Sequence, residues 1–282
     1  MDIEEKFNLI KEVGEEIINE EELKELLKTK KNPVAYDGFE PSGKIHVAQG
    51  LLRVINVNKL TRTGIKFKFW VADWFALMNN KMDGDLEKIR TVGEYFIEVW
   101  KASGLDMENV EFLWASEHMN QEYWLSVLRV ARLNSVTRIT RCAQIMGRSD
   151  SEKLSAAQIF YPCMQATDIF HLGADIAQLG MDQRKVNMLA REIAPKIGKK
   201  KPIAIHHHML MGLNKPADTT ATGAEAAIAK KMSKSIPSSA IFMTDTTKEI
   251  KKKFNKAYCP EGVVEDNPVL EYFKYIIFEK VD

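Results

Sequence analysis

The chain has 282 residues, of which 45% are hydrophobic and 28% charged, a globular composition with ample apolar material for a core. Lys and Arg total 40 against 39 Asp and Glu, a net charge of +1. That balance excludes a generally basic nucleic-acid binder, so any contact with nucleic acid has to come from local patches.

The N-terminus is acidic and amphipathic. It lacks the apolar stretch of a signal peptide and the Arg/Ser bias of a transit peptide. Residues 2–30 read as two charged helices, with Leu9, Ile10, Val13, Ile17, Leu23, Leu26 and Leu27 at helical spacing. Lys28, Lys30 and Lys31 followed by Pro33 make a helix stop. Val34 to Tyr36 is a short strand, Asp37 to Gly43 a turn, and residues 46–60 a helix. Lys66 to Val71 alternates and is aromatic, which predicts a strand. Residues 85–103 form a long helix, and Val110 to Trp114 another strand.

Residues 121–148 read as one or two helices carrying a stripe of Leu128, Ala131, Ser135, Ile139, Cys142 and Met146. Arg129, Arg132, Arg138, Arg141 and Arg148 are interspersed. Ala174 to Leu179 is a strand, followed by Gly180 and a basic helix to about residue 194; Pro202 to Ile205 is a further strand. Asn214 to Ala229 reads as a mobile surface loop, and residues 246–257 and 267–280 as helices. Strands alternating with helices in this way predict βαβ units and a mainly parallel sheet. Cys142, Cys163 and Cys259 are odd in number and far apart, which suggests no disulfide framework or zinc knuckle and fits a reducing compartment. No apolar run is long enough to span a bilayer, so no membrane partner and a cytoplasmic location are expected.

Two segments carry chemistry. In the first, a strand passes through Gly38, Ser42 and Gly43 toward a helix, with His46 in its first turn and Gln49 beyond. Unpaired N–H groups and the macrodipole make such a junction suited to a polyphosphate; an ordinary strand–turn–helix junction with a surface histidine has the same pattern. The second is Lys230-Lys231-Met232-Ser233-Lys234-Ser235. Its lysines and hydroxyls can fold around pyrophosphate, closing after the nucleotide has bound; a solvated basic loop looks alike. His206-His207-His208 invites a metal reading, but adjacent strand residues alternate sides and cannot all face one ion, so no structural metal is expected.

Together, PSGKIHVAQG and KMSKS resemble the two signature motifs of class I aminoacyl-tRNA synthetases. His46-Val47-Ala48-Gln49 stands where His-Ile-Gly-His is usual. Residues 36–43 (YDGFEPSG), 161–168 (YPCMQATD), 180–185 (GMDQRK) and 257–260 (AYCP) narrow the resemblance to tyrosyl-tRNA synthetase of the archaeal and eukaryotic cytosolic type, over about residues 32–275. The resemblance implies an α/β fold, a Rossmann-like parallel sheet with helices on both faces, followed by an all-helical C-terminal domain. It divides the chain into an N-terminal helical segment at 1–30, a catalytic domain at 31–245 and the start of a helical anticodon-binding domain at 246–282. That last domain is expected to be incomplete, leaving adenylate formation intact and tRNA charging poor.

The resemblance also assigns sites. Tyrosine would be held by Tyr36, Tyr161, Gln165, Asp168 and Gln183. Of these, Asp168 and Tyr36 would take the phenolic hydroxyl, and Tyr161, Gln165 and Gln183 the α-ammonium group. ATP would meet Gly38, Ser42, Gly43, His46, Gln49, Gly180, Asp182, Lys231, Met232, Ser233 and Lys234, with His46, Lys231 and Lys234 acting in catalysis and Mg²⁺ arriving with ATP. Tyrosine would be activated to tyrosyl-adenylate and passed to tRNA(Tyr) by a homodimer whose interface is sought at 121–148. Lys199 to Lys201 and Lys251 to Lys253 are either phosphate contacts for tRNA or solvated charge. The rival readings are tryptophanyl-tRNA synthetase, a nucleotidyltransferase for a small metabolite, and a catalytically silent RNA-binding relative.

Overall fold

The computed structural model describes residues 1–142, 154–216, 220, 223–234 and 236–279. In chain order the elements are α1 (Ile3–Val13), β1 (Gly14–Ile18), α2 (Glu20–Thr29), β2 (Val34–Phe39), α3 (Leu51–Arg62), β3 (Lys66–Val71), α4 (Asp73–Met78), α5 (Leu86–Ala102), β4 (Val110–Trp114), α6 (Ala115–His118), α7 (Gln121–Arg132), α8 (Val136–Thr140), α9 (Ala156–His171), β5 (Ile176–Gly180), α10 (Arg184–Ile193), β6 (Ile203–His207), α11 (Ala224–Lys230), α12 (Thr247–Phe254) and α13 (Pro268–Tyr272).

The strands form one sheet in the order β1-β6-β5-β2-β3-β4. Pairings within β6-β5-β2-β3-β4 are parallel, and β1 runs antiparallel along β6. β5 and β6 are buried at every position, as parallel strands covered on both faces must be. One face carries a core of α4, α7, α9 and α10 residues around Trp70, Tyr123 and Met164. The other carries α1, α2, α3 and α5 against Phe67, Phe69 and Ile205. On that second face Phe69 stacks on Trp100 at 4.6 Å and on Phe112 at 5.4 Å, with Phe67 tilted against it at 4.9 Å.

Several expectations are corrected. Residues 2–30 are two helices with a strand between them. Gly14–Ile18 pairs with β6, and its glutamates meet basic partners, Arg184 and His206 for Glu16 and His208 for Glu15. The helix expected at 46–60 begins only at Leu51, with Gly50 at its N-cap. In the stripe read at 121–148, Leu128 is 58% exposed, while the buried face of α7 is Tyr123, Val127 and Val130. Ile139 and Cys142 are buried as read; Met146 and Arg148 lie outside the described residues. Part of the expected surface loop is helical, as α11. Of the helix expected at 267–280, α13 spans five residues and passes into a π-helical turn, Phe273–Ile277.

The aromatic stack makes Phe69 a sensitive test of the second core. It is fully buried, so Phe69→Ala is expected to cost about 3–5 kcal/mol, read as a lower urea midpoint with an unchanged slope.

Candidate active site

The sheet order sets where a ligand can sit. From β2 the chain proceeds outward to β3 and β4, then returns to β5 on the opposite side of β2 and continues to β6. The strand order therefore reverses between β2 and β5, and a crevice opens beyond their carboxyl ends. A cavity of about 460 Å³ lies there, lined by Gly38 and Phe39 from the end of β2 and Gly180 from the end of β5.

Part of the lining comes from α9. A capping box between Ser155 and Gln158 starts this helix, and Tyr161, Gln165 and Asp168 share one face by their i, i+4, i+7 spacing. Asp168 is 1% exposed. Its carboxyl accepts from the Tyr123 hydroxyl at 2.7 Å and from the Tyr36 hydroxyl. Burial drives its pKa well above the carboxylate range, and the two phenol donors oppose that rise. Burial, together with this neighbouring acid, keeps Tyr36 and Tyr123 protonated. Tyr161 Oη donates to Glu40 at 2.5 Å, and Gln165 Nε2 donates to Gln183 Oε1 at 3.0 Å. Gln165, which lines the same cavity, has its Oε1 buried with no hydrogen-bond partner among the described residues.

The two signature segments meet on the other side. His46 stands before the helix rather than in its first turn, held by an antiparallel bridge to Phe242. Its Nδ1 accepts from the Gln49 N–H at 3.3 Å, which leaves the proton on Nε2. Burial first, then the nearby Lys234 and Lys231, lower its pKa to about 3, so the imidazole is neutral near pH 7. Gly43 has φ of +93°, a turn conformation that glycine adopts without strain. Lys231 is paired with Asp182 at 2.8 Å, and Lys234 Nζ donates to Ser42 Oγ at 3.0 Å. Burial, with Lys81 adding repulsion, lowers Lys234 to about 7. The segment is anchored through Met232, which is 4% exposed and donates its N–H to the Leu210 carbonyl at 2.8 Å.

Of the residues assigned to tyrosine and ATP, all but Gly43 and Lys234 line the cavity, and Lys234 borders it through Ser42. The triple histidine splits as strand alternation requires. His206 meets Glu16 and Asn187, His207 meets Gln178 and Arg53, and His208 meets Glu15 and Glu271. A β-carbon on Gly180 would lie 2.6 Å from Met209 Sδ and 2.7 Å from Asp182 Oδ1, so a side chain at the end of β5 would displace them.

Sequence reasoning missed several members. Arg53 of α3 pairs with Asp37 at 2.7 Å inside the site, and burial holds Asp37 up at about 6 against that cation. Arg53 stands among Leu51, Leu52, Val54 and Ile55, an apolar run in which a charge is itself a signal. Glu40 accepts from Tyr161 and Asn79, with Lys81 at 3.7 Å. Trp70 also lines the cavity, its Nε1 buried and without a hydrogen-bond partner among the described residues.

Residues 28–281 match the family described as tRNA synthetases class I (W and Y). Cytoplasmic tyrosine–tRNA ligase 1 of Arabidopsis thaliana is 57% identical over 285 residues, covering all of this chain and 71% of the relative. The fold is that of Leishmania major tyrosyl-tRNA synthetase in complex with tyrosinol, with a TM-score of 0.90 and 48% identity over all of this chain and 43% of that one. The enzyme from Pyrococcus horikoshii complexed with L-tyrosine is 38% identical with a TM-score of 0.91, over 99% of this chain and 81% of that one. The chain thus spans less than half of the Leishmania protein and most of the other two.

Lys234 makes stability depend on pH with a definite sign. Its pKa is about 7 folded and near 10.4 unfolded. Between these values the unfolded chain binds the extra proton, so this group's contribution to stability rises with pH and is most unfavourable below 7. Lys234→Met is therefore expected to raise the urea midpoint more at pH 6 than at pH 9; an equal gain at both would contradict the burial of this ammonium.

Proposed function

The chain belongs to the tyrosyl-tRNA synthetases, class I aminoacyl-tRNA synthetases, and from that membership we propose that it activates L-tyrosine with ATP and transfers it to the terminal adenosine of tRNA(Tyr). In the first step a tyrosine carboxylate oxygen attacks the α-phosphorus. The bond to the bridging oxygen breaks, giving tyrosyl-adenylate and pyrophosphate. In the second, the 2′- or 3′-hydroxyl of the tRNA attacks the activated carbonyl and AMP leaves. Neither step needs a side-chain nucleophile; the protein contributes positioning and charge.

The observation that carries the choice of amino acid is Asp168, buried with no cation paired to it among the described residues and supported by phenol donors. The phenolic hydroxyl of tyrosine supplies a further donor. Phenylalanine would leave the same polar group desolvated and short of a partner, a discrimination for which tyrosyl-tRNA synthetases are the standard illustration. The tryptophan reading has no comparable use for Tyr36 and Asp168 together. The α-ammonium group is suited to Gln165 Oε1 and to Tyr161 Oη, whose own proton goes to Glu40. Neutral His46 can donate from Nε2 to a phosphate oxygen, while Lys231 and Lys234 can exchange Asp182 and Ser42 for phosphate charge. Mg²⁺ enters with ATP as part of the substrate. A complete KMSKS disfavours the silent relative.

We further infer a homodimer, supported by the exposed Trp124, Leu125 and Leu128 on the outer side of α7. For tRNA phosphates, Lys199 to Lys201, Lys251 and Lys252 are solvent-facing, whereas Lys253 is engaged by Asp245 and the Ala240 carbonyl. Among the described residues no helix is long and apolar enough to cross a membrane. The cytoplasmic label on relatives supports a cytoplasmic location. Residues 246–282 are read as the start of the helical anticodon-binding domain, though Tyr272 and Ile276 share a cluster with Leu52, Met232 and Phe242.

ATP–pyrophosphate exchange measured in parallel with tyrosine, tryptophan and phenylalanine tests this reading. Exchange dependent on tyrosine is expected, and exchange with tryptophan alone would end the assignment.

A further inference from the structure

Tyr123 belongs to none of the motifs in the sequence, yet it makes the best-defined contact to the acid at the heart of the site. It is fully buried on the inner face of α7, and its hydroxyl donates to Asp168 Oδ1 at 2.7 Å. The Met164 carbonyl, at 3.2 Å, is the weaker competitor for the same proton. The ring is wedged edge-on against His171, with centroids 5.2 Å apart at 88°. Tyr36 and Asp168 line the cavity; Tyr123 does not.

We propose that Tyr123 is a positioning residue for amino-acid selection: from behind the cavity wall it fixes Asp168 as a hydrogen-bond acceptor for the substrate's phenolic hydroxyl. The inference rests on the reading of tyrosine as substrate. A carboxyl group offers lone pairs on both of its oxygens. Tyr123 occupies one on the side away from the ligand, and Tyr36 another. The remaining positions are then turned toward the cavity in a fixed orientation. Among the described residues no cation pairs with Asp168, so these phenols supply its side-chain support. Tyr36 can rearrange when a ligand arrives because it borders the cavity. Tyr123 is held against α9, by its hydrogen bond to Asp168 and its ring on His171, and keeps its place. Removing its oxygen leaves Asp168 free to rotate and short of one donor, and the loss falls on ligands that must donate to it.

The test is Tyr123→Phe in the whole chain, which keeps the ring and its packing on His171. ATP–pyrophosphate exchange is measured as a function of tyrosine, of phenylalanine and of ATP. The KM for tyrosine is expected to rise about tenfold, as for a buried polar group left short of a hydrogen-bond partner. The kcat should change little, the KM for ATP should stay put, and the tyrosine-to-phenylalanine ratio of kcat/KM should fall by the same factor. A purely structural role would depress both amino acids together and disturb ATP as well, and that outcome overturns the proposal, as does an unmoved ratio. If Tyr123→Phe does not fold, Tyr123→Met, flexible and without a donor, is read by the same ratio. A wild-type chain that shows no tyrosine-dependent exchange would overturn the tyrosine reading and this proposal with it. Wild-type exchange combined with an unchanged ratio in the variant overturns this proposal alone.

Discussion

A carboxyl group taken out of water, with no cation paired to it among the described residues, is the condition around which the site is organised. Asp168 meets that condition with donors from two elements, Tyr36 on β2 and Tyr123 on α7. Each donor has to be delivered to within hydrogen-bond distance by a different part of the fold. The phenols support the carboxyl without filling its capacity to accept, so the site retains an unmet preference for one more hydroxyl donor. That residual preference is what a hydroxylated aromatic amino acid can satisfy and its deoxy analogue cannot.

The topology makes this delivery possible. Reversal of strand order between β2 and β5 opens the crevice, and α9 presents Tyr161, Gln165 and Asp168 along one wall. Across it, α3 contributes Arg53 to Asp37 and His207, coupling that helix to β2 and β6. The N-terminal edge strand is tied to this centre by ionic contacts. Glu16 holds Arg184 at the start of α10 and the buried His206. His208 lies between Glu15 and Glu271, stacked on Tyr275 at 4.3 Å, and these carboxylates raise it to about 9 against the cost of burial. Near neutral pH it is therefore a cation joining both ends of the chain beside the site. KMSKS hangs on the same scaffold through Met232, whose neighbours include Leu210 and Tyr272.

What the sequence disclosed follows from the range of the forces involved. β3, β4 and α5 were legible because their apolar periodicity reflects burial they cannot avoid. The shared face of Tyr161, Gln165 and Asp168 was legible because helical spacing is local. β1 was not: Gly14-Glu15-Glu16 has poor strand propensity, and its pairing depends on partners nearly two hundred residues away. His46 was placed in a helix because residues 46–60 are helix-compatible; the bridge to Phe242 that holds it out is again distant in sequence. Tyr123 is obscured because the apolar residues of α7 fit two helical faces one residue apart, and the buried face runs through Val127 rather than Leu128. Its role depends on α7 crossing α9, which no single-chain pattern states.

Calorimetric affinities of L-tyrosine and L-phenylalanine for the wild-type chain and for Asp168→Asn bear most directly on the buried acceptor. The account predicts that the substitution weakens tyrosine by at least about tenfold and leaves phenylalanine unchanged or tighter. An equal loss for both amino acids would contradict it, because the acid would then be holding the pocket together rather than reading a hydroxyl.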